Sequence, residues 1–259
     1  MSEHILEVDN LCKYFGGVKA VDGISLKVPK HKIQAVIGPN GAGKSTTLNL
    51  LSGTYFPTSG KISYLGKDVT ALALHQRVHL GIARTFQKIR LFKQLSVLDN
   101  VIAGFHIHHH IPFWEYIIPA KAFKKDRLDC QEEAMALLQF VGLADRANDR
   151  AGSLAYGQQR LLEIARALAT RPQLFMLDEP AAGLNDTEVQ FLMDRLIELK
   201  EKNMTIIVVE HNMKLVMNVA DQIFVMDHGE YLFDGQPADV QSNPKVIAAY
   251  LGADDEVSV

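Results

Sequence analysis

The segment that most constrains this chain is "GPNGAGKST", residues 38–46, because it fits the pattern G-x-x-x-x-G-K-[ST]. The apolar run "KIQAVIG" comes directly before it, and the helix-forming run "KSTTLNLLSG" follows and ends at Gly53 in the manner of a C-cap. A strand, a glycine-rich loop and a helix in this order place backbone N–H donors in a concave loop beside the positive end of a helix dipole. The chain therefore contains a predicted site for the phosphate groups of a nucleotide.

Every residue of this loop is assigned to the nucleotide, namely Gly38, Pro39, Asn40, Gly41, Ala42, Gly43, Lys44, Ser45 and Thr46. Lys44 is predicted to reach the β- and γ-phosphates, and the hydroxyl of Ser45 to bind Mg²⁺. A nucleotide with its magnesium ion is therefore the predicted ligand.

The run "LFMLDEP", residues 174–180, is an apolar strand that ends in two acidic residues. Ligands gather at the carboxyl ends of parallel strands, so carboxylates there are expected beside the phosphate loop. Asp178 is predicted to hold Mg²⁺ through water, and Glu179 to act as general base for the attacking water. Because many apolar strands end in acidic residues, the phosphate loop upstream is what favours this catalytic interpretation.

Two further polar residues are candidates for the same site. His211 follows the apolar strand in "TIIVVEHNM", where an imidazole can hydrogen-bond the γ-phosphate. Gln87 in "IARTFQ" offers a neutral amide that can contact Mg²⁺ and the attacking water without taking its proton. A single histidine is more often structural and an isolated glutamine carries no signal, so both assignments depend on the other motifs.

The pattern of elements predicts an α/β fold with a mixed or parallel sheet covered by helices. Alternation in "ILEVDNL" and "VDGISLKVPK" predicts an N-terminal antiparallel β portion, and residues 72–143 shift toward helix. We predict a single domain over residues 1–259, in which 1–86 and 144–259 form the core, about 87–143 form a helical subdomain and 253–259 form a disordered tail.

Composition and charge exclude several other classes of protein. With 47% hydrophobic residues the chain can bury a large core, and its net charge of −3 gives no basic field, so no nucleic acid partner is predicted. Its two cysteines, Cys12 and Cys130, are too far apart for a disulfide framework or a zinc ribbon. No signal peptide is recognisable, and no apolar run approaches the roughly 18 residues needed to cross a bilayer. We therefore expect a cytoplasmic protein that reaches a membrane only through partners.

Taken together, the motifs resemble the nucleotide-binding subunit of ABC transporters, in the order phosphate loop, "TFQ", "LAYGQQ", "LFMLDEP" and "EHNM". The resemblance covers almost the whole chain and implies a P-loop ATPase core that binds ATP and Mg²⁺. It implies that Phe15 stacks on adenine, that Gln87 is the lid glutamine at the boundary of the helical subdomain, and that His211 is the switch histidine.

The same resemblance identifies the family signature, which consists of Leu154, Ala155, Tyr156, Gly157 and Gln158. It implies that this segment contacts ATP held by a second nucleotide-binding subunit, and that residues 181–186, "AAGLND", cross to that subunit. With a helix predicted to start at Gln158, the signature implied by the resemblance is expected to present the backbone donors of Gly157 and of this helix start.

Within the family, "RTFQKIRLFKQLSVLDNV" and "NPKVIAAYLG" are similar to the ATP-binding subunit of branched-chain amino acid importers. The implied function is an ATP-hydrolysing motor that imports branched-chain or other hydrophobic amino acids. Its implied partners are a second ATP-binding subunit, identical or different, transmembrane permease subunits at the inner face of the cell membrane and, indirectly, a solute-binding protein. The alternatives are a soluble ATPase of this superfamily in translation or DNA maintenance, a kinase with the same loop, and an exporter of another solute.

Three residues depart from the family pattern. Ala155 and Tyr156 stand where the signature usually has Ser and Gly, and Asn185 stands where the crossing loop usually has Asp. A hydroxyl bond to a charged phosphate is worth roughly 1.5 to 3 kcal/mol, so Ala155 is expected to tune the ATPase without abolishing it.

Other polar clusters receive structural interpretations. The histidines at 106 and 108–110 are expected on a surface that faces solvent or a partner rather than at a metal site. Arg160 and Arg166 are candidates to approach phosphate, but pairing with acidic residues at the surface is the expected arrangement.

Overall fold

The computed structural model describes residues 3–108 and 124–255. Within this range the chain divides into two compact units: the first contains the residues up to Arg84 and from Gln173 onward, and the second runs from Thr85 to Pro172. The second unit is thus longer than the predicted subdomain of residues 87–143. It includes the signature segment because the helix that begins within this segment, Tyr156–Leu168, packs on the other helices of that unit.

Two sheets build the first unit. The antiparallel sheet has the strand order β2-β1-β4-β5, formed by β1 (His4–Phe15), β2 (Val18–Pro29), β4 (Ser59–Tyr64) and β5 (Lys67–Asp68). The other sheet has the order β10-β9-β3-β8-β7-β6, formed by β3 (Ile33–Ile37), β6 (Ile82–Arg84), β7 (Leu174–Asp178), β8 (Thr205–Val209), β9 (Gln222–Asp227) and β10 (Glu230–Gly235). All neighbours in it are parallel except β9 and β10, so the predicted mixed sheet is confirmed.

Buried parallel strands explain the continuous apolar runs of the sequence. Every residue of β3, β7 and β8 is buried, as expected for strands that are covered on both faces. Val209 at the end of β8 pairs with Val36 on one side and with Asp178 on the other. The carboxyl ends of these three strands therefore lie side by side.

The helices are α1 (Lys44–Ser52), α2 (Leu74–His79), α3 (Val97–Phe105), α4 (Lys124–Phe140), α5 (Tyr156–Leu168), α6 (Asp186–Glu201), α7 (Met213–Val219), α8 (Pro237–Ser242) and α9 (Pro244–Asp255). Helix α1 ends at Gly53, whose φ of +78° confirms the predicted C-cap. Helix α9 includes residues 253–255 of the segment predicted as a tail, and residues 256–259 lie outside the described part of the chain.

The core of the first unit is formed by both sheets together with α1. Leu48 and Leu51 of α1 pack with Ile24 of β2 and Met176 of β7, and all four side chains are almost completely buried. Full burial of side chains of this size contributes roughly 1.5 to 3 kcal/mol each. This packing holds the start of α1, and with it the phosphate loop, at the strand ends.

Helices α3, α4 and α5 form the second unit. A side chain at Gly104 in α3 would place its Cβ 2.3 Å from the carbonyl oxygen of Arg166, so glycine there allows α3 and α5 to approach closely. The histidine cluster begins in a 3-10 turn over His106–His108, and His109 and His110 lie outside the described residues. Across residues 3–108 and 124–255, no helix combines the length and the hydropathy that a bilayer span requires.

Candidate functional site

The phosphate loop connects β3 to α1, as the sequence predicts. Gly43 precedes the helix with a φ of +91°, no side chain caps the N-terminus of α1, and its first turn carries no acidic residue. The first N–H groups of a helix have no intrahelical acceptor, and the helix dipole adds positive potential there. This end of α1 is therefore suited to bind an anion such as phosphate.

Two glycines of the loop are required by its close packing. A Cβ at Gly43 would lie 2.3 Å from the carbonyl oxygen of Ala20 in β2, and one at Gly38 would lie 2.1 Å from the carbonyl oxygen of Met226 in β9. Any larger residue would push the loop away from these strands. The glycines thus allow the loop to pack against these strands, and they also leave its backbone N–H groups accessible to a ligand.

Lys44 is held inside the loop that it is predicted to serve. Its side chain is buried, and Nζ donates to the carbonyl oxygens of Gly38 at 2.7 Å and Pro39 at 2.8 Å. Burial lowers the pKa of Lys44, and the negative charges of Glu179 and Asp178 oppose this effect. The structure therefore brings the predicted phosphate-binding cation and the two predicted carboxylates together.

Asp178 ends β7, is buried, and forms an ion pair that the sequence analysis missed. Its Oδ2 accepts a hydrogen bond from Arg84 Nη2 at 3.1 Å, while Arg84 Nη1 donates to Asn49 Oδ1 at 2.7 Å and to Ser52 Oγ at 2.8 Å. Arg84 thereby joins β6, β7 and the end of α1. The sequence signal that could have indicated this ion pair is the arginine at the end of the short apolar run "GIAR".

Glu179 follows Asp178 in a backbone conformation that is unusual for a residue with a side chain. Its φ is +47°, and its N–H donates to the carbonyl oxygen of Val209 at 2.9 Å. Such a conformation costs roughly 1 to 3 kcal/mol and is often found at functional sites. His211 Nδ1 lies 4.0 Å from Glu179 Oε1, so the predicted base and the predicted switch histidine are neighbours.

Glu210 is a second residue that the sequence analysis missed, and it is fully buried next to His211. Its Oε1 accepts from the N–H of Ala181 at 2.7 Å, and its Oε2 accepts from the N–H groups of His211 at 3.1 Å and Asn212 at 3.2 Å. Burial raises the pKa of Glu210, and the three backbone hydrogen bonds oppose the shift. One carboxylate therefore holds the loop after β7 and the loop after β8.

The crossing loop leads directly into α6, and its departure from the family pattern has a structural role. Asn185 is the N-cap of α6: its Oδ1 accepts from the N–H of Glu188 at 3.0 Å, and the Glu188 carboxylate accepts from the N–H of Asn185 at 3.0 Å. Asn and Asp serve about equally well at this position, so Asn185 keeps the capping function.

Phe15 ends β1 and is 45% exposed. Its ring lies edge-on to that of Tyr55 at a centroid distance of 5.6 Å, and Lys13 Nζ lies 5.1 Å from its centroid. An exposed aromatic face offers a surface for a planar base. Stacking of Phe15 on adenine stays a prediction.

In the second unit, Gln87 lies in the loop after β6, and its backbone is held by α5. Arg160 Nη1 donates to the carbonyl oxygen of Phe86 at 2.7 Å, and Nη2 donates to that of Gln87 at 2.8 Å. Arg160 also pairs with Glu163 at 3.1 Å, and both side chains are almost completely buried. The expected surface location of Arg160 is therefore wrong, because its main partners are backbone carbonyls in the interior of this unit.

The signature segment differs from its predicted structure at the start of the helix. Helix α5 begins at Tyr156, not at Gln158, and the N-cap is Ala155 with an extended backbone (φ −60°, ψ 157°). Gly157 thus belongs to the first turn, where it is buried. Burial of Leu154 and of the apolar face of α5 outweighs the low helix propensities of Tyr and Gly. Ala155 has no side-chain acceptor for the donors of this turn, while Gln158 Oε1 accepts from the N–H of Ala155 at 3.2 Å.

The residues predicted to bind magnesium have the donor chemistry that this ion prefers. Ser45 in the first turn of α1 offers a hydroxyl, Asp178 a carboxylate and Gln87 an amide oxygen, and Mg²⁺ favours oxygen ligands. No three His, Cys, Asp or Glu side chains within residues 3–108 and 124–255 are grouped as a protein-only metal site would need.

A phosphate loop, two carboxylates and a histidine at the ends of adjacent parallel strands define a P-loop nucleoside triphosphatase. In a comparison with known protein families, the family described as ABC transporter matches residues 21–182. The family described as branched-chain amino acid ATP-binding cassette transporter matches residues 232–256. The chain belongs to the ABC transporter family, as its ATP-hydrolysing subunit. The predicted family is therefore confirmed.

Full-length relatives and solved structures agree with this assignment. The chain is 45% identical to the high-affinity branched-chain amino acid transport ATP-binding protein BraF of Pseudomonas aeruginosa, over 97% of this chain and 99% of that protein. It is 40% identical to LivG of Escherichia coli, with the same two coverages. A nucleotide-free ATP-binding cassette from an ABC transporter superposes with a TM-score of 0.83 at 34% identity, over 95% of this chain and 98% of the other. The ADP conformation of an ATP-binding cassette of an ABC transporter superposes with a TM-score of 0.84 at 34% identity, over 97% of this chain and 100% of the other.

Proposed function

We propose that this chain powers the import of branched-chain or other hydrophobic amino acids. Hydrolysis of ATP is supported by the convergence of Lys44, Asp178, Glu179 and His211 at the strand ends of one unit. The class of solute is supported by similarity to branched-chain amino acid transport proteins along 97% of the chain and by the match of residues 232–256.

The triphosphate of ATP would lie in the loop of residues 38–46, with Lys44 on the β- and γ-phosphates. Ser45, Asp178 and Gln87 are the proposed magnesium ligands, Asp178 through water. When bound, the ion neutralises charge that develops on the phosphate oxygens.

Glu179 is the proposed general base. Its carboxylate accepts a proton from the water that attacks the γ-phosphate, and oxygen from this water forms the new bond as the bond to ADP breaks. His211, 4.0 Å from Glu179, donates a hydrogen bond to the γ-phosphate and holds it in line with the water. The 19% exposure of the Glu179 side chain is enough for water to reach it.

Residues 154–158 are proposed to bind ATP that is held by a second ATP-binding subunit. The first turn of α5 supports this role, because Ala155 at the N-cap has no side-chain acceptor and because Ala155 and Tyr156 are exposed. Two such subunits would enclose two nucleotides and attach to transmembrane permeases on the inner face of the cell membrane.

The direct test is transport by the assembled complex. The chain would be purified with its permeases from detergent-solubilised membranes, reconstituted in liposomes and supplied with ATP, a solute-binding protein and radiolabelled leucine. We expect ATP-dependent leucine uptake that excess isoleucine inhibits. Hydrolysis without uptake of any branched-chain amino acid would refute the proposed solute, and purification with ribosomes in place of integral membrane proteins would refute the transport role.

A further inference from the structure

A buried side chain of the signature helix holds the backbone of the loop that carries Gln87. Arg160 is fully buried, and its two terminal nitrogens each donate to a backbone carbonyl oxygen, that of Phe86 at 2.7 Å and that of Gln87 at 2.8 Å. The planar guanidinium suits two adjacent acceptors, whereas a lysine could serve only as a point charge. The residue thus ties two consecutive peptide groups to α5.

The same guanidinium contacts the signature itself. Tyr156 lies one helical turn before Arg160, and its hydroxyl oxygen is 3.4 Å from Arg160 Nη2, the nitrogen that also donates to Gln87. The side chain of Tyr156 is 49% exposed at the start of α5, where residues 154–158 are proposed to meet nucleotide. Glycine, the usual family residue at this position, could not make this contact.

Glu163 completes the connection from the next turn of the helix. Its Oε2 pairs with Arg160 at 3.1 Å, and its Oε1 accepts from the N–H of Arg90 at 3.2 Å. Helix α5 therefore holds the segment of residues 86–90 at both ends. The pairing with Glu163 also balances the charge of Arg160, which would otherwise be costly to bury.

We propose that Arg160 is a positioning residue that couples the signature turn to Gln87. Contact of nucleotide with the first turn of α5 would reach the Gln87 backbone through Tyr156 and Arg160, without contact between Arg160 and the nucleotide. The inference rests on the proposed function, in which Gln87 is a ligand of the magnesium ion.

A double-mutant cycle tests whether Arg160 acts through Gln87. Arg160→Met, Gln87→Ala and the double variant would be compared in the assembled complex for kcat, KM for ATP and the Mg²⁺ concentration that gives half-maximal hydrolysis. Equilibrium binding of a fluorescent ATP analogue to the purified chain, titrated with Mg²⁺, gives a readout other than activity. We expect about a tenfold loss of kcat and weaker Mg²⁺ dependence of binding in each single variant, with no further loss in the double variant.

Arg160→Met removes the ion-pair partner of the buried Glu163, so thermal unfolding of each variant would be measured. Tyr156→Phe is the second probe, because it removes a single hydroxyl from an exposed ring and preserves the fold. We expect it to change kcat by about twofold in the presence of Gln87 and to have no effect in the Gln87→Ala background. The matched control is Arg171→Met in the same unit, since Arg171 is exposed and its ion pair with the exposed Glu133 is expected to contribute little to stability.

The outcomes separate this inference from the proposed function. Effects that multiply in the double variant, or a Tyr156→Phe effect that persists without Gln87, would overturn the coupling. A Gln87→Ala variant with normal Mg²⁺ dependence would overturn it as well, since the assumed role of Gln87 would be wrong. The wild-type complex could fail to take up amino acids while the effects of Arg160→Met and Gln87→Ala on ATP hydrolysis are still non-additive. This result would refute the proposed solute and support the coupling.

Discussion

Each of the two units uses one buried charged side chain to hold the backbone of a functional loop, but the charges and the surroundings differ. In the first unit the carboxylate of Glu210 accepts three backbone N–H groups. In the second unit the guanidinium of Arg160 donates to two backbone carbonyl groups. Both side chains are completely buried.

The surroundings of Glu210 and Arg160 determine how strongly the position of the functional residues depends on each of them. Glu179 and His211 follow adjacent strands of one parallel sheet, and the pairing of Asp178 with Val209 already places them side by side. Gln87 lies in a loop after β6, outside the sheet. Loss of Glu210 should therefore disturb a site that the sheet still holds, whereas loss of Arg160 removes two of the backbone contacts that hold Gln87.

The largest expected effect comes from the first unit and concerns the reacting group itself. Glu179→Gln should lower turnover by at least about a hundredfold, because an amide cannot accept the proton of the attacking water. ATP should remain bound in a stable dimer, which size-exclusion chromatography with ATP would detect. Glu201→Gln, at an exposed position on α6, is the control. Full turnover in Glu179→Gln would refute the base assignment.

Glu210→Gln separates positioning from chemistry in the same unit. The amide oxygen can keep some of the backbone hydrogen bonds, but the amide nitrogen faces N–H donors, so at least one of them loses its acceptor. We expect a loss of about 1 to 3 kcal/mol in the free energy of unfolding and about a tenfold lower kcat. ATP affinity, measured by equilibrium binding, should stay near that of the wild type. The opposite pattern, a normal kcat with weakened binding, would contradict the positioning role.

The buried carboxyl groups predict a pH dependence with the same sign in both units. Burial raises the pKa of Glu210 and of Glu163 above their ordinary value of 4.5, so the folded protein keeps these protons where the unfolded chain has lost them. Their contribution to the free energy of unfolding is therefore greatest below about pH 4.5 and falls as pH rises through the raised pKa.

Denaturant titrations of the wild type and of Glu210→Gln at several pH values would measure this effect. The stability of the wild type relative to the variant should decrease from about pH 4.5 upward and then become constant. Glu163→Gln is the matching variant of the second unit and should show the same trend. A relative stability that increases with pH would show that the hydrogen bonds, and not burial, dominate the pKa.

The smallest expected effect concerns the N-cap of α5. Ala155→Ser supplies a hydroxyl at the N-cap position, which should raise the free energy of unfolding by about 0.5 to 2 kcal/mol. The hydroxyl can alternatively bond a phosphate, which should strengthen ATP-dependent dimer formation by a few fold. Thermal unfolding and ATP affinity would be measured with Ser153→Ala as a nearby control. Unchanged ATP affinity and turnover in the assembled complex would show that position 155 does not tune the ATPase.

Local patterns were sufficient to predict much of the fold. The strand, loop and helix at residues 33–52 and the buried strands β7 and β8 were recognisable because their apolar runs, glycines and caps are adjacent in the chain. The start of α5 was less predictable. Tyr156 and Gly157 are weak helix formers, and the helix starts there only because Leu154 and the apolar face of α5 are buried in the second unit.

The short motifs specify which chemical groups this ATPase carries and in which order, because the residue types and their spacing follow from the chemistry of nucleotide binding. Which side chains hold those groups in place depends instead on contacts between distant parts of the folded chain. Arg160 and Gln87 are separated by 73 residues, and Glu210 and Ala181 by 29. Each pair joins a charged side chain to a backbone carbonyl or N–H group, which almost every residue type offers, so the identity of the partner residue cannot be read from the sequence. Burial then makes these contacts strong, since a charge removed from water depends on every hydrogen bond it makes.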